Sequence, residues 1–108
     1  MEREEKIVYM LRTDYHDYPK SGWLIKIGYT KNLKNRMSNI QSGCPFRVYV
    51  HASAKSYSAK DYEKSFHEKL SEFNTFGEWF LVSDDEFDWV VDSLVLIQKE
   101  FRRENALV

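Results

Sequence analysis

Two cations beside a glycine give the first chemical hint in this sequence. Lys26 lies in W-L-I-K-I-G-Y-T, residues 23–30, and Arg36 follows in K-N-L-K-N-R-M-S-N-I-Q, residues 31–41. If Trp23 to Tyr29 is a strand, Lys26 and Gly28 share a face, and Gly28 has no side chain to crowd the ammonium. Arg36 suits the same ligand, because its planar donors fork onto two phosphate oxygens. Together they make a candidate phosphate site. Tyr9 lies in a neighbouring strand candidate and Glu63 in a later helix, so four elements can converge. These residue types meet the needs of phosphodiester hydrolysis. A tyrosine or lysine with a lowered pKa can deprotonate or orient water. Arginine neutralises charge building on the phosphate, and a carboxylate can hold a Mg²⁺ that keeps most of its waters.

Periodicity supplies the elements that must position these residues. Lys6 to Arg12, K-I-V-Y-M-L-R, has the near-continuous apolar character of a strand buried on both faces. Asp14 to Gly22 is rich in turn formers and is expected to be a loop. The strand 23–29 then returns antiparallel to the first. A helix is expected from Lys31 to about Gln41, capped by the Thr30 hydroxyl. Leu33, Met37 and Ile40 form its buried stripe, and Gly43 with Pro45 ends it. Phe46 to Ala54 alternates, with Phe46, Val48 and Val50 on one face, as in a half-buried strand. Ser58-Ala-Lys-Asp61 reads as a capping box for a helix reaching about Phe73, marked by Tyr62, Phe66 and Leu70. Glu63 and His67 are four apart and stack on an adjacent stripe. Asn74 to Gly77 is expected to turn and Glu78 to Val82 to form a short strand. Ser83-Asp-Asp-Glu86 is a second capping box, opening a final helix over about 84–102 with fraying beyond. The order is β-β-α-β-α-β-α. It predicts one α+β domain over 1–108, a mainly antiparallel sheet with helices packed against it.

Composition narrows the class. With 43% hydrophobic and 16% aromatic residues, the chain is not disordered. No apolar run approaches the roughly 20 residues of a membrane helix, so no membrane association is expected. The charged start lacks a signal-peptide core, and Cys44 is the lone cysteine, so a cytoplasmic, reducing setting is expected. His16, His51 and His67 lack zinc-site spacing. Net charge is −1, yet residues 1–60 carry 11 Lys/Arg against 5 Asp/Glu, while residues 61–108 carry 5 against 12. No carboxylate falls between Tyr18 and Lys60. A one-sign stretch of that length can attract a polyanion despite an acidic total, with Lys31, Lys34 and Arg47 as its contacts.

Val8-Tyr9-Met10, Lys26-Ile27-Gly28, Arg36 and Glu63, in that order, resemble the GIY-YIG nuclease superfamily. K-I-G-Y-T, E-K-S-F-H (residues 63–67) and G-E-W-F (residues 77–80) look like a branch common in phage and bacterial proteins. The resemblance spans about 6–82. It implies a three-stranded antiparallel sheet flanked by helices, here with the short strand near 78–82 as a fourth. It also implies DNA cleavage, of duplex or branched substrates, with one Mg²⁺ or Mn²⁺. Tyr9 would lie near the attacking water, Arg36 would bind phosphate and Glu63 would bind the metal. Lys26 stands where the second motif usually has tyrosine, as in restriction enzymes whose lysine helps activate water. Gly28 and Tyr29 belong to that motif. His67 and Glu78 would support it by orienting a carboxylate or a water. Val8 and Met10 replace the usual Gly and Ile. The long connection between the motifs, residues 11–25, is a candidate for target recognition. Cutting both strands of a duplex needs a homodimer or two encounters. Two other readings remain open: a nucleic-acid-binding domain that no longer cuts, and a protein-interaction module using the last helix.

Overall fold

Alternation along the two N-terminal strands decides the architecture. β1 (Lys6–Thr13) and β2 (Trp23–Thr30) pair antiparallel, with Tyr9 opposite Gly28 and Leu11 opposite Lys26. β1 sends Val8 and Met10 to one face and Tyr9 and Leu11 to the other, and all four are fully buried. It is a central strand, as its apolar run predicts. The structure is a computed structural model that describes residues 4–13 and 22–106. All of the expected loop at 14–22 but Gly22, and the bulk of the 11–25 connection, therefore lie outside the described residues. Leu11 to Thr13 and Trp23 to Ile25 are strand, not loop.

β3 (Val48–Ser56) pairs with the outer side of β1. On the far side of β2 come β5 (Trp79–Val82) and β4 (Asn74–Phe76), giving an antiparallel sheet in the order β3-β1-β2-β5-β4. The expectation of three strands plus a short fourth is thus corrected to five. Asn74 to Phe76, expected to turn, is itself extended, because the reversal is made at Gly77 with φ +57°. The Asn74 amide ties that hairpin by donating to the Gly77 and Trp79 carbonyls, at 2.8 and 3.2 Å.

β3 departs from simple alternation. Its register slips opposite Met10 and Leu11, where Ala52 pairs with Met10 but Val50 with Leu11. His51 is the extra residue of this bulge. Val48 and Val50 thus share the Leu11 face, whereas Ala52 and Ala54 share the Met10 face.

The helices cover the faces unequally. α2 (Ala59–Lys69) and α3 (Asp84–Ala106) pack on the Val8/Met10 face, where Ile25, Ile27, Phe66, Phe80, Val90 and Leu94 complete a dry core. α1 (Leu33–Ser42) lies on the other face, its Leu33, Met37 and Ile40 against Tyr9, Leu11 and Val48. Its cap is Asn32, whose side chain accepts from the Asn35 N–H at 3.0 Å. Thr30, the expected cap, instead accepts from the Asn32 N–H at 3.2 Å and shapes the turn before it. Ser58 makes no capping bond, and α2 gives way at Leu70 to a 3₁₀ turn, Ser71–Phe73. Of the second box the Glu86 half forms: the Ser83 N–H donates to the Glu86 carboxylate at 3.0 Å, and the Ser83 hydroxyl donates to the same carboxylate. α3 continues to Ala106 rather than fraying near 102, since the Tyr57 hydroxyl donates to Asn105 Oδ1 at 2.9 Å and the Tyr57 ring packs on Phe101. Among the described residues no helix is long and apolar enough to cross a membrane.

Candidate active site

The site exists because β5 is shorter than β2. Pairing between them covers only Trp23 to Lys26, with Lys26 opposite Trp79. Past Lys26 the outer edge of β2 meets a turn and a helix instead of a strand. The Ile27 N–H donates to the Glu78 carbonyl at 3.4 Å. Its carbonyl accepts from His67 Nε2 of α2 at 2.8 Å. A carbonyl can only accept, so Nε2 carries a proton in this contact and Nδ1 is left to face another partner. Edge-to-face packing of the His67 ring on Phe80, with centroids 5.0 Å apart, holds the ring in place.

One helical turn before His67, Glu63 reaches the same edge. Ligand atoms of Glu63, His67 and Glu78 all lie within 4.8 Å of one another. Two carboxylates and an imidazole make a mixed O, O, N donor set. Such a set suits a first-row divalent cation such as Mn²⁺ at least as well as Mg²⁺, which prefers oxygen alone. Sequence reasoning assigned the metal to Glu63 alone and gave His67 and Glu78 a supporting part; the geometry brings all three together as candidate ligands, Glu78 with Lys26 already on it. Burial pushes the Glu63 carboxyl above its ordinary range, and Glu78 adds to the rise, while His67, Lys26 and Arg36 oppose it. A carboxyl so placed is poised to be stabilised by an added cation.

Lys26 is the neighbour of this cluster. Its ammonium contacts Glu78 Oε1 at 2.9 Å and lies 5.5 Å from the centroid of the Trp79 ring, with the side chain only 14% exposed. Lys26 and Gly28 do share a face, the one that carries Tyr9 and α1. The hydroxyl end of the Tyr9 ring lies over Gly28: a Cβ added there would sit 2.4 Å from Tyr9 Oη and 2.6 Å from Cζ. Only glycine permits that approach. The hydroxyl itself is buried and finds no hydrogen-bond partner among the described residues. Burial raises the Tyr9 pKa; the neighbouring Arg36 guanidinium opposes the rise, and the Glu78 and Glu63 carboxylates reinforce it. With its pKa raised, Tyr9 stays a neutral phenol at neutral pH, and the condition under which a tyrosine serves as a base, a lowered pKa, is not met here.

Arg36 lines a cleft of about 560 Å³ together with Glu63, Glu78, Tyr29 and Lys31. Lys31 is paired with Glu4. Lys34, though on the same helix as Arg36, is not part of this wall, and Arg47 lies with its guanidinium 5.8 Å over the Tyr49 ring instead. Further residues of the wall, Lys6, Asn32, Asn35 and Asn39, escaped sequence reasoning. Lys6 lay in the first strand candidate, but its place beside Tyr29, at 5.3 Å from the ring, follows from β1–β2 pairing.

A family model described as the T5orf172 domain matches residues 6–95. No curated protein matches the chain, and no solved structure does. This corrects the resemblance drawn from the short motifs: the family found is the T5orf172 domain, not the GIY-YIG superfamily. Three-residue motifs such as V-Y-M and K-I-G are accounted for by strand burial and by the Tyr9–Gly28 contact, so they do not single out a superfamily. Roles that rested only on the resemblance lose that support, and the geometry has to carry them.

Proposed function

This chain belongs to the T5orf172 domain family, and we propose that it is an endonuclease hydrolysing DNA phosphodiester bonds with a bound Mg²⁺ or Mn²⁺. The observation that carries the reading is the convergence of Glu63, His67 and Glu78 within 4.8 Å, beside Lys26 and across one cleft from Arg36. A divalent ion held there would supply charge neutralisation and a more acidic bound water. Arg36 forks onto the non-bridging oxygens, where charge develops as the phosphate is attacked. The Tyr9 phenol, buried over Gly28 beside Arg36, acts from beneath the cleft by positioning that guanidinium. Lys26 divides its charge between Glu78 and the incoming phosphate. Duplex or branched DNA suits an open cleft, and two cuts in a duplex call for two encounters or a homodimer. A lone cysteine accords with a reducing, cytoplasmic setting.

One contact favours a second reading, a nucleic-acid-binding domain that does not cut. The Lys26 ammonium already neutralises Glu78 at 2.9 Å, so a cation must compete for that carboxylate. Cleavage of supercoiled plasmid and of a labelled branched DNA separates the two. The assay is run with Mg²⁺, Mn²⁺ or chelator, beside Glu63→Ala and Arg36→Ala proteins of verified fold. Metal-dependent cutting that drops about 10²–10³-fold in both variants is expected. Cutting that survives both substitutions defeats the assignment. Salt-sensitive binding without cutting, under either metal, establishes the second reading.

A further inference from the structure

A second cleft adjoins the first. It holds about 500 Å³ between the end of α1 and the β4–β5 hairpin, and its wall is apolar: Leu24, Ile40, Cys44, Pro45, Phe76 and Trp79. That volume is ordinary for a small-molecule site. Asn39 lines both clefts, and Lys26, a wall residue of the second, is ion-paired with Glu78 of the first. Phe76 and Trp79 are cross-strand partners, so their side chains stand on the same side of the hairpin. Phe76 is 81% exposed, and no fold requirement accounts for an aromatic ring held in water on an edge strand.

We infer that this cleft is a stacking subsite for an unpaired nucleobase, whose own phosphate lies at Lys26 and Arg36. The inference rests on the phosphate-binding part of the proposed function and names its substrate class: a single-stranded, frayed or extruded nucleotide rather than uninterrupted duplex. The occupant follows from continuity. A ligand whose anionic group lies against Lys26 and whose remainder enters the neighbouring cleft must be apolar and flat on one side of that group. An aromatic platform next to a cationic groove is how bases are held without reading sequence. Asn39 supplies an amide at the junction, able to donate and accept at a base edge.

The test is fluorescence anisotropy in chelator, so that binding is read apart from cutting. The probes are a short single-stranded DNA, an abasic strand of the same length and a blunt duplex. The intact strand is expected to bind about tenfold more tightly than the abasic one, the size of one stacked base. Phe76→Ala is expected to remove that tenfold preference and leave the abasic strand unaffected; so exposed a residue can be truncated without unfolding the chain. Arg36→Ala is expected to weaken intact and abasic strands alike. Alkylation of Cys44 should slow with the intact strand and not with the abasic one. Equal affinity for intact and abasic strands overturns the subsite while leaving a phosphate-binding cleft in place. A Phe76→Ala protein that changes only its oligomeric state overturns it in favour of a self-interface. Binding of none of the three probes overturns the subsite and the proposed function together. Selective binding without any metal-dependent cutting keeps the subsite and removes the nuclease.

Discussion

The two faces of the sheet are built for different ends. The Val8/Met10 face is sealed by two helices, and residues such as Phe66, Phe80, Val90 and Leu94 lose nearly all contact with water. The Tyr9/Leu11 face is covered by α1 alone, a ten-residue helix in which no residue is fully buried. Both clefts open along that thinly covered side or at its edge. Stability on the first face comes from apolar area removed from water, at about 25 cal/mol per Å². The second face gives up part of that area and keeps Lys26 and Arg36 on the walls of clefts, within reach of a ligand. Groups that can bind something are found where packing is incomplete, because a fully packed face leaves no room for a substrate.

Truncation sharpens the contrast most. Leu94→Ala on the sealed face should lower stability by about 2–5 kcal/mol in urea unfolding. Met37→Ala on the α1 face should lower it by about 1 kcal/mol. Equal losses would mean that α1 is as structural as α3. Next in size is Gly28→Ala, which drives a methyl into the Tyr9 ring and should destabilise by about 1–3 kcal/mol. Much of that loss should vanish when Tyr9→Ala is combined with it, so the double variant tests whether the glycine serves the tyrosine.

Tyr9→Phe divides stability from function. Removing a buried hydroxyl without a partner should leave stability unchanged or raise it by about 1 kcal/mol, while metal-dependent cleavage falls about 10²-fold. Loss of both together would show that the hydroxyl has a structural partner. The sign of its pH dependence is definite. The Tyr9 pKa is raised above 10.0 in the folded chain, so its contribution is fully present below that ordinary value. That contribution is lost as pH rises through the raised value. Alkaline denaturation should therefore be steeper for the native chain than for Tyr9→Phe.

The smallest effect concerns Glu63. Its pKa is raised from 4.5, so it favours the folded state when protonated and opposes it when ionised. In chelator at neutral pH, Glu63→Gln should melt slightly above the native chain, and the gap should close in acid. Added Mn²⁺ should raise the melting temperature of the native chain and not that of the variant. A native chain indifferent to Mn²⁺ would leave the three-residue cluster without a ligand.

Much of the fold was legible because it depends on local pattern. The strands around Tyr9 and Lys26, the stripe Leu33–Met37–Ile40 and the Ser83–Glu86 cap follow from spacing alone. Features that hinge on pairing were not legible. Asn74 to Phe76 became a strand because Gly77 and the Asn74 amide allow a tight hairpin, although its residue types suit a turn equally well. The β3 bulge at His51 answers to β1 opposite it, which no alternation within residues 46–54 reveals. At the site, Tyr9, Lys26, Arg36 and Glu63 could be nominated from their types. The sign of the Tyr9 shift could not, since burial of its hydroxyl depends on what lies above it. The superfamily drawn from short motifs was replaced by the T5orf172 domain over 6–95, a lesson in how little three-residue strand motifs discriminate.

By itself the sequence determined which residues are apolar at periods of two and of 3.6, where helices can begin, and which side chains can carry charge or donate to phosphate. These are properties of neighbours along the chain, fixed by backbone geometry within a few residues. Only the tertiary structure decided that β5 stops at Lys26 and leaves the Ile27 carbonyl to His67. It alone brought Glu78 within 4.8 Å of Glu63 and His67, which one helix already sets side by side. Contacts between residues so far apart in sequence are selected by the packing of the whole chain, through burial and hydrogen-bond satisfaction that no single segment contains.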